Sequence, residues 1–224
     1  MKRAKTFLAL SFIFCGYMVK AQDWPNLKYY QAANQKVRDE HAVKVVYMGD
    51  SITESWMTAL PDFFLTNGYT DRGISGQTSP QMVLRFRQDV IDLKPKVVVL
   101  LCGINDLAGN TGPSSIEMIE DNIKTMAELA KINNIKMVLC SVLPSRSVFW
   151  RPDLNPMDDI ITLNKWIRNY AGEKHLFYLD YYTALVDDQK GLKAVYAKDG
   201  VHPNVPGYKV MEPLAKAAVN SALK

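Results

Sequence analysis

The sequence predicts an α/β fold, doubly wound around a central parallel sheet of five strands. Three observations carry that expectation. Apolar runs at 43–48, 97–102, 135–143 and 176–179 lack polar alternation and are rich in Val and Leu, the pattern of strands buried on both faces. Amphipathic stretches of helical length separate the runs. The chain has 224 residues, 48% hydrophobic and 22% charged, which suits one globular domain and is short for two domains and a linker.

In chain order, 26–38 reads as a helix packed on the outside, and 43–48 as the first strand. Gly49-Asp50-Ser51-Ile52 follows it, with Ser51 opening a helix. A weaker strand fits 69–74. The next helix, 79–93, has Pro80 in its first turn and Met82, Val83, Phe86 and Val90 as its apolar positions. Further helices are expected at 114–133, 158–170 and 206–223, each after one of the remaining strands. Strand and helix thus alternate five times, as a doubly wound sheet requires. No repeat, low-complexity tract or linker interrupts residues 22–224, which read as a single domain.

Residues 1–21 read as a signal peptide. Lys2, Arg3 and Lys5 precede an apolar run at 7–16, and Val19-Lys20-Ala21 places small residues where a signal peptidase cuts, after Ala21. The run is too short for a permanent span; a retained anchor is the alternative reading. Cys15 follows the bulky Phe14, which argues against lipidation. The expected location is therefore periplasmic or secreted, with no integral membrane association after cleavage. The leader also accounts for the net charge of +4, because the other 23 bases face 23 acids. That balance leaves no electrostatic footprint for nucleic acid. Cys102 and Cys140 each end an apolar run and read as buried free thiols. His41, His175 and His202 have no close Cys/His spacing, so no metal or other cofactor is expected.

Ligands of such sheets sit beyond the carboxyl ends of the strands, so the residues after each strand carry the functional signal. They are Gly49-Asp50-Ser51, Gly73-Ile74-Ser75-Gly76, Gly103-Ile104-Asn105-Asp106 and, before the last helix, Asp199-Gly200-Val201-His202. Acyl transfer needs a nucleophile, a base, an orienter for the base and donors for an oxyanion. Ser51 supplies a hydroxyl at a positive helix end. His202 is a candidate base, and Asp199, three residues earlier, can fix its tautomer. Gly76 can bring a bare backbone N–H close to substrate, and Asn105 offers an amide donor. Each has a plainer alternative: Ser51-x-x-Glu54 matches a capping box, Gly76 can serve a tight turn, Asn105-Asp106 before Gly109-Asn110 can be ordinary loop, and Asp199-Gly200 is a turn signal.

Together these four blocks, in this order and spacing, resemble the signature blocks of the SGNH (GDSL-type) hydrolases, nearest to the acetylhydrolase and carbohydrate-acetylesterase branch. Residues 73–86, 95–105 and 142–146 add to the likeness, as do His202 and Gly207-Tyr208. The resemblance implies a three-layer α/β/α flavodoxin-like fold and a serine esterase. It makes Ser51 the nucleophile, Gly76 and Asn105 oxyanion donors beside the Ser51 N–H, Asp199 the orienter and His202 the base. Ile52 stands where the family name has Leu.

Little chain remains for a lid or acyl tunnel. The segment 144–156 contains Phe149 and Trp150, a candidate wall for the leaving group, although Trp150 fits core packing equally well. A shallow site and export favour short acyl groups, acetate first, on a glycan or other small alcohol. The alternatives are a lysophospholipase- or thioesterase-like acylhydrolase for longer chains and, in another class, a non-catalytic flavodoxin-like binding module.

Overall fold

Residues 22–40 and 43–224 are described here by a computed structural model; the expected leader at 1–21 lies outside them. The first helix, α1 (Gln31–Glu40), precedes β1 (Val45–Gly49), α2 (Ser51–Ala59), α3 (Pro61–Leu65), β2 (Tyr69–Gly73) and α4 (Ser79–Asp89). Then follow β3 (Val97–Leu100), α5 (Ile104–Leu107), α6 (Ile116–Ile132), β4 (Lys136–Cys140), α7 (Met157–Glu173), β5 (Phe177–Leu179), α8 (Tyr182–Leu185) and α9 (Val205–Leu223). All strand pairs are parallel, in the order β2-β1-β3-β4-β5. This is the flavodoxin-like order, whose switch point lies between β1 and β3. Helices α4, α6 and α7 pack against one another on one face, and α2 and α9 cover the other.

Burial explains why the central strands were readable. Every residue of β1 and β3 is buried, as strands covered on both faces must be. Strand β2 reads weakly because it is an edge strand whose first three residues are only half-buried. The segment before β1 seals it. Asn34 of α1, itself buried, accepts from Arg72 Nε (2.7 Å) and donates to Asp89 (2.6 Å). Gln77 and Gln81 donate to the carbonyls of Pro25 and Trp24. Gly73 ends β2 where α2 passes so close that a Cβ there would lie 2.2 Å from the Glu54 backbone nitrogen.

An aromatic cluster locks the second face. Trp56 stacks on Phe63 (centroids 4.4 Å apart) and on Tyr208 (5.4 Å), with Tyr47 of β1 edge-on at 6.1 Å. Such pairs contribute about 0.5–1.5 kcal/mol each beyond their burial. The Tyr208 hydroxyl also donates to the Ile52 carbonyl at 2.8 Å. The opening turns of α2 and α9 are therefore fixed to each other, although 156 residues separate those partners.

The expected boundaries shift where side chains compete for backbone groups. The apolar run 135–143 pairs only over Lys136–Cys140. Beyond it, Ser141 Oγ accepts the Tyr181 and Tyr182 N–H groups, and Asn164 bonds both backbone groups of Val142. The helix expected over 79–93 leaves α geometry after Asp89; a 3₁₀ turn at Ile91–Leu93 ends on Lys94, whose φ is +52°. Cys102 and Cys140 are buried free thiols. Among the described residues no helix is long and apolar enough to cross a membrane.

Burial pushes the Asp71 carboxyl up to about 7. The Tyr30 hydroxyl is shared between the Gly73 carbonyl at 2.5 Å and Asp71 Oδ2 at 3.2 Å; that contact and the Gly73 N–H favour the ionised carboxyl, but burial outweighs them. The native state thus holds a proton that the unfolded chain releases near pH 4. Stability from this group is present at acidic pH and declines as pH rises toward 7. Asp71→Asn should flatten the fall in unfolding free energy between pH 5 and 8 by ~1–2 kcal/mol. Urea titrations at the two pH values check this; equal slopes in parent and variant would refute it.

Candidate active site

The carboxyl ends of β1, β2 and β3 and the turn before α9 meet at one rim. Asp50, not Ser51, caps α2: its carboxylate accepts the Ile52 N–H at 2.9 Å. The capping alternative for Ser51 therefore falls away, and its hydroxyl is free for another partner. That partner is His202, with Ser51 Oγ 2.8 Å from Nε2. On the other side of the ring, Nδ1 lies 2.8 Å from Asp199 Oδ2 and 3.1 Å from Oδ1.

The tautomer follows from the partners. Burial alone would raise the Asp199 carboxyl, but hydrogen bonds from the His202 backbone and ring and from the Val201 N–H outweigh it, holding the carboxyl below its ordinary range. An ionised carboxylate only accepts, so His202 carries its proton on Nδ1 and Nε2 accepts from Ser51. The turn is built for this. Asp199 Oδ1 takes the Val201 and His202 N–H groups, Gly200 adopts φ +85°, and Lys198 N–H donates to the His202 carbonyl. A hydroxyl, imidazole and carboxylate so aligned can move a proton off Ser51 and stabilise the imidazolium that results.

Gly76 stands beside them at φ +76°, a conformation that favours glycine. Asn105 is 2% exposed yet borders the same cleft. Its Nδ2 donates to the Gln77 carbonyl at 3.1 Å and approaches Asp50 Oδ2 at 3.3 Å. Two buried carboxyls lie beneath. Burial lifts Asp50 to about 6 against the pull of the Ile52 N–H and of His202, and lifts Asp106 to about 6 against its bonds from Ser79.

The cleft encloses about 280 Å³ between Ser51, Gly76, Asn105, His202, Phe149 and Trp150. Phe149 is 62% exposed, and its ring centroid lies 6.3 Å from that of His202, with Trp150 at 6.4 Å. A larger recess of about 610 Å³ opens at the amino ends of β3 and β4, but no serine, cysteine or histidine borders it. Among the described residues no three His, Cys, Asp or Glu side chains converge as a metal-ligand set.

All seven residues singled out in the sequence thus stand together, six in the cleft and Asp199 behind the imidazole. Three supporting residues went unread. Glu54 makes no capping box; its carboxylate receives the Ser75 N–H at 2.9 Å, the Ser75 hydroxyl and the Tyr29 hydroxyl, and so clamps the loop before Gly76. Arg85, fully buried, donates to the carbonyls of Gly49 and Arg72 (2.9 Å each) and to Gln77 while pairing with Asp89. Asn110 donates to Asn105 and Gly76 and accepts from Trp150. Arg85 alone left a signal, since Met82, Arg85, Phe86 and Asp89 share one helical face.

The sequence model of the GDSL-like Lipase/Acylhydrolase family matches residues 47–210. A GDSL-like lipase of Bacteroides thetaiotaomicron VPI-5482 is 45% identical over 88% of this chain and 98% of its own, with a TM-score of 0.85. A Bacteroides fragilis NCTC 9343 protein, provisionally described as an acylhydrolase, is 43% identical over 91% and 100% of the two chains, with a TM-score of 0.88. An acetylxylan esterase of Xylanibacter ruminicola is 27% identical over 216 residues, covering 80% of this chain and 44% of its own. The chain spans less than half the length of the curated relatives it matches.

The His202 assignment is open to direct measurement. In ¹⁵N-histidine-labelled protein at pH 8, His202 should show a protonated Nδ1 and an unprotonated Nε2, and Asp199→Ala should give a mixture of tautomers. A parent spectrum with the proton on Nε2 would contradict the arrangement.

Proposed function

The chain belongs to the GDSL-like lipase/acylhydrolase family; we propose that it is a carboxylic ester hydrolase, an exported serine esterase that removes short acyl groups, acetate first, from a carbohydrate or similar alcohol. The observation that carries the mechanism is the line from Ser51 Oγ through the His202 ring to Asp199, closed at 2.8 Å on each side. In the proposed cycle Ser51 Oγ attacks the ester carbonyl as His202 Nε2 takes its proton. The oxyanion is held by the N–H groups of Ser51 and Gly76 and by Asn105 Nδ2, which would exchange its longer contact, 3.3 Å to Asp50 Oδ2, for it. His202 then protonates the departing alcohol, and water, activated by the same imidazole, releases the acid from Ser51. No metal or organic cofactor enters this cycle.

The size of the site supports a short acyl group. A cleft of about 280 Å³, shared between acyl group and alcohol, lies at the small end for ligand pockets. Phe149 and Trp150 form the wall beside His202, where the leaving alcohol departs, and aromatic faces of this kind suit the apolar face of a sugar. The acetylxylan esterase among the relatives supports the same substrate class. The basic and apolar leader sequence at 1–21 supports export to the envelope or beyond.

Two results test this reading. Ser51→Ala should lower kcat by ~10⁴–10⁶ while leaving the circular dichroism spectrum unchanged, and Asn105→Ala should lower it by ~10²–10³. Ser51→Ala protein with near-parental activity would end the proposal. Across p-nitrophenyl esters, kcat/KM should be highest for acetate and fall with chain length. A maximum at about eight carbons or beyond would replace the acetylesterase assignment with a long-chain acylhydrolase.

A further inference from the structure

Asn110 lies outside the reacting line, yet it touches the supports of two of the proposed oxyanion donors. Its Nδ2 donates to Asn105 Oδ1 at 2.9 Å and to the Gly76 carbonyl at 3.2 Å, and its Oδ1 accepts from Trp150 Nε1 at 2.8 Å. Both neighbours of this amide are chemically one-sided. An indole N–H can only donate, and a backbone carbonyl can only accept. Trp150 therefore compels Oδ1 of Asn110 to face it, and Nδ2 must then face Gly76 and Asn105. Asn105 is in turn compelled to present Oδ1 to Asn110 and Nδ2 to the opposite side, where the Gln77 carbonyl and Asp50 await it. The Gln77 carbonyl, which can only accept, demands the same orientation from the other side, so Asn105 is held between it and the relay that starts at the aromatic wall of the cleft.

We infer that Asn110 and the Trp150 N–H are positioning residues, which orient the Asn105 carboxamide for the oxyanion and hold Gly76 by its carbonyl, and so couple the alcohol-side wall to the reacting centre. The inference rests on the esterase reading above. It assigns Trp150 a second duty besides offering a face to the substrate: its ring edge sets the polarity of the relay. It also explains why an exposed asparagine on a short loop holds one orientation. The loop is anchored at both ends of the contact, by the Asn110 N–H to the Asn105 carbonyl and by a hydrogen bond between the Thr111 and Thr78 hydroxyls.

The test is a double-mutant cycle with p-nitrophenyl acetate, using Asn110→Ala and Trp150→Phe alone and together, with Asn105→Ala as reference. Trp150→Phe keeps an aromatic face and removes only the N–H donor. Asn110→Ala should lower kcat by ~10–30-fold, below the cost of losing a donor outright, with KM changed less than about twofold. Trp150→Phe should lower kcat by ~3–10-fold in the parent and by less than about twofold in the Asn110→Ala background, where its N–H has nothing to orient. An equal effect of Trp150→Phe in both backgrounds, or none in the parent, would show the ring to be a platform only and overturn the inference. Parental activity in Asn105→Ala would instead bring down the oxyanion reading on which it rests.

Discussion

A guanidinium with no exposed surface lies beneath the reactive rim, and the loops above it depend on it. Arg85 fills four roles with one planar fork. It satisfies the Gly49 carbonyl just before Asp50 and Ser51, the Arg72 carbonyl just before Gly73, the Gln77 side chain just after Gly76, and the Asp89 carboxylate. The Gly49 carbonyl also takes the Ile74 N–H at 3.1 Å, so Arg85 fills its second acceptor position and ties that strand end to the Arg72 carbonyl. A buried carbonyl left without a partner costs about 1–3 kcal/mol. The charge Arg85 brings is neutralised by Asp89, which Asn34 also contacts. Removing one partner of such a buried pair leaves a bare charge and typically costs about 3–5 kcal/mol. The segment before β1 is therefore part of the support for the rim.

The sheet order gives this support its purpose. Strands β1 and β3 are neighbours, but their connections leave on opposite faces, so a crevice opens where the chain parts. Ser51 stands after β1 and Asn105 after β3, one on each lip of that crevice. His202 is brought to it by the turn before α9, and α9 is held against α2 by the Trp56–Tyr208 stack and the Tyr208–Ile52 hydrogen bond. The hydroxyl and imidazole thus meet because their helices are packed together, not because their loops are mutually attracted. A 2.8 Å contact across 151 residues of chain is inherited from the core.

What the sequence made legible, and what it hid, divides along the same physical line. The five strands, the long helices and the candidates Ser51, Gly76, Asn105, Asp199 and His202 were readable because each follows a local rule: continuous apolar runs, helical spacing, or a short motif beside a strand or helix end; Phe149 and Trp150 stood out only as aromatics in a long loop. The supports were hidden because they act at long range through ordinary residue types. Ser51-x-x-Glu54 satisfies the pattern of a capping box, yet Asp50 takes the cap and Glu54 reaches across to Ser75 and Tyr29. Gly109-Asn110 has the composition of any turn, and nothing local reveals that Asn110 touches Asn105, Gly76 and Trp150. The single-turn helices Pro61–Leu65, Ile104–Leu107 and Tyr182–Leu185 are too short to show any period.

The two halves of the site differ in how they are held, and the difference suits the chemistry. Asn105 and Asp50 are almost wholly buried and fixed from several sides, while Asp199 and His202 sit on a partly exposed turn made of its own hydrogen bonds. An oxyanion site works by being rigid before charge appears, since any reorganisation then would add to the barrier. The imidazole has a different task. In the proposed cycle it takes a proton from Ser51 and then hands it to the leaving group, which asks first for a fixed tautomer. Asp199 supplies that tautomer while the ring faces the cleft. The scaffold thus places its buried contacts around Asn105 and Asp50, and leaves the imidazole on a partly exposed turn held by its own hydrogen bonds.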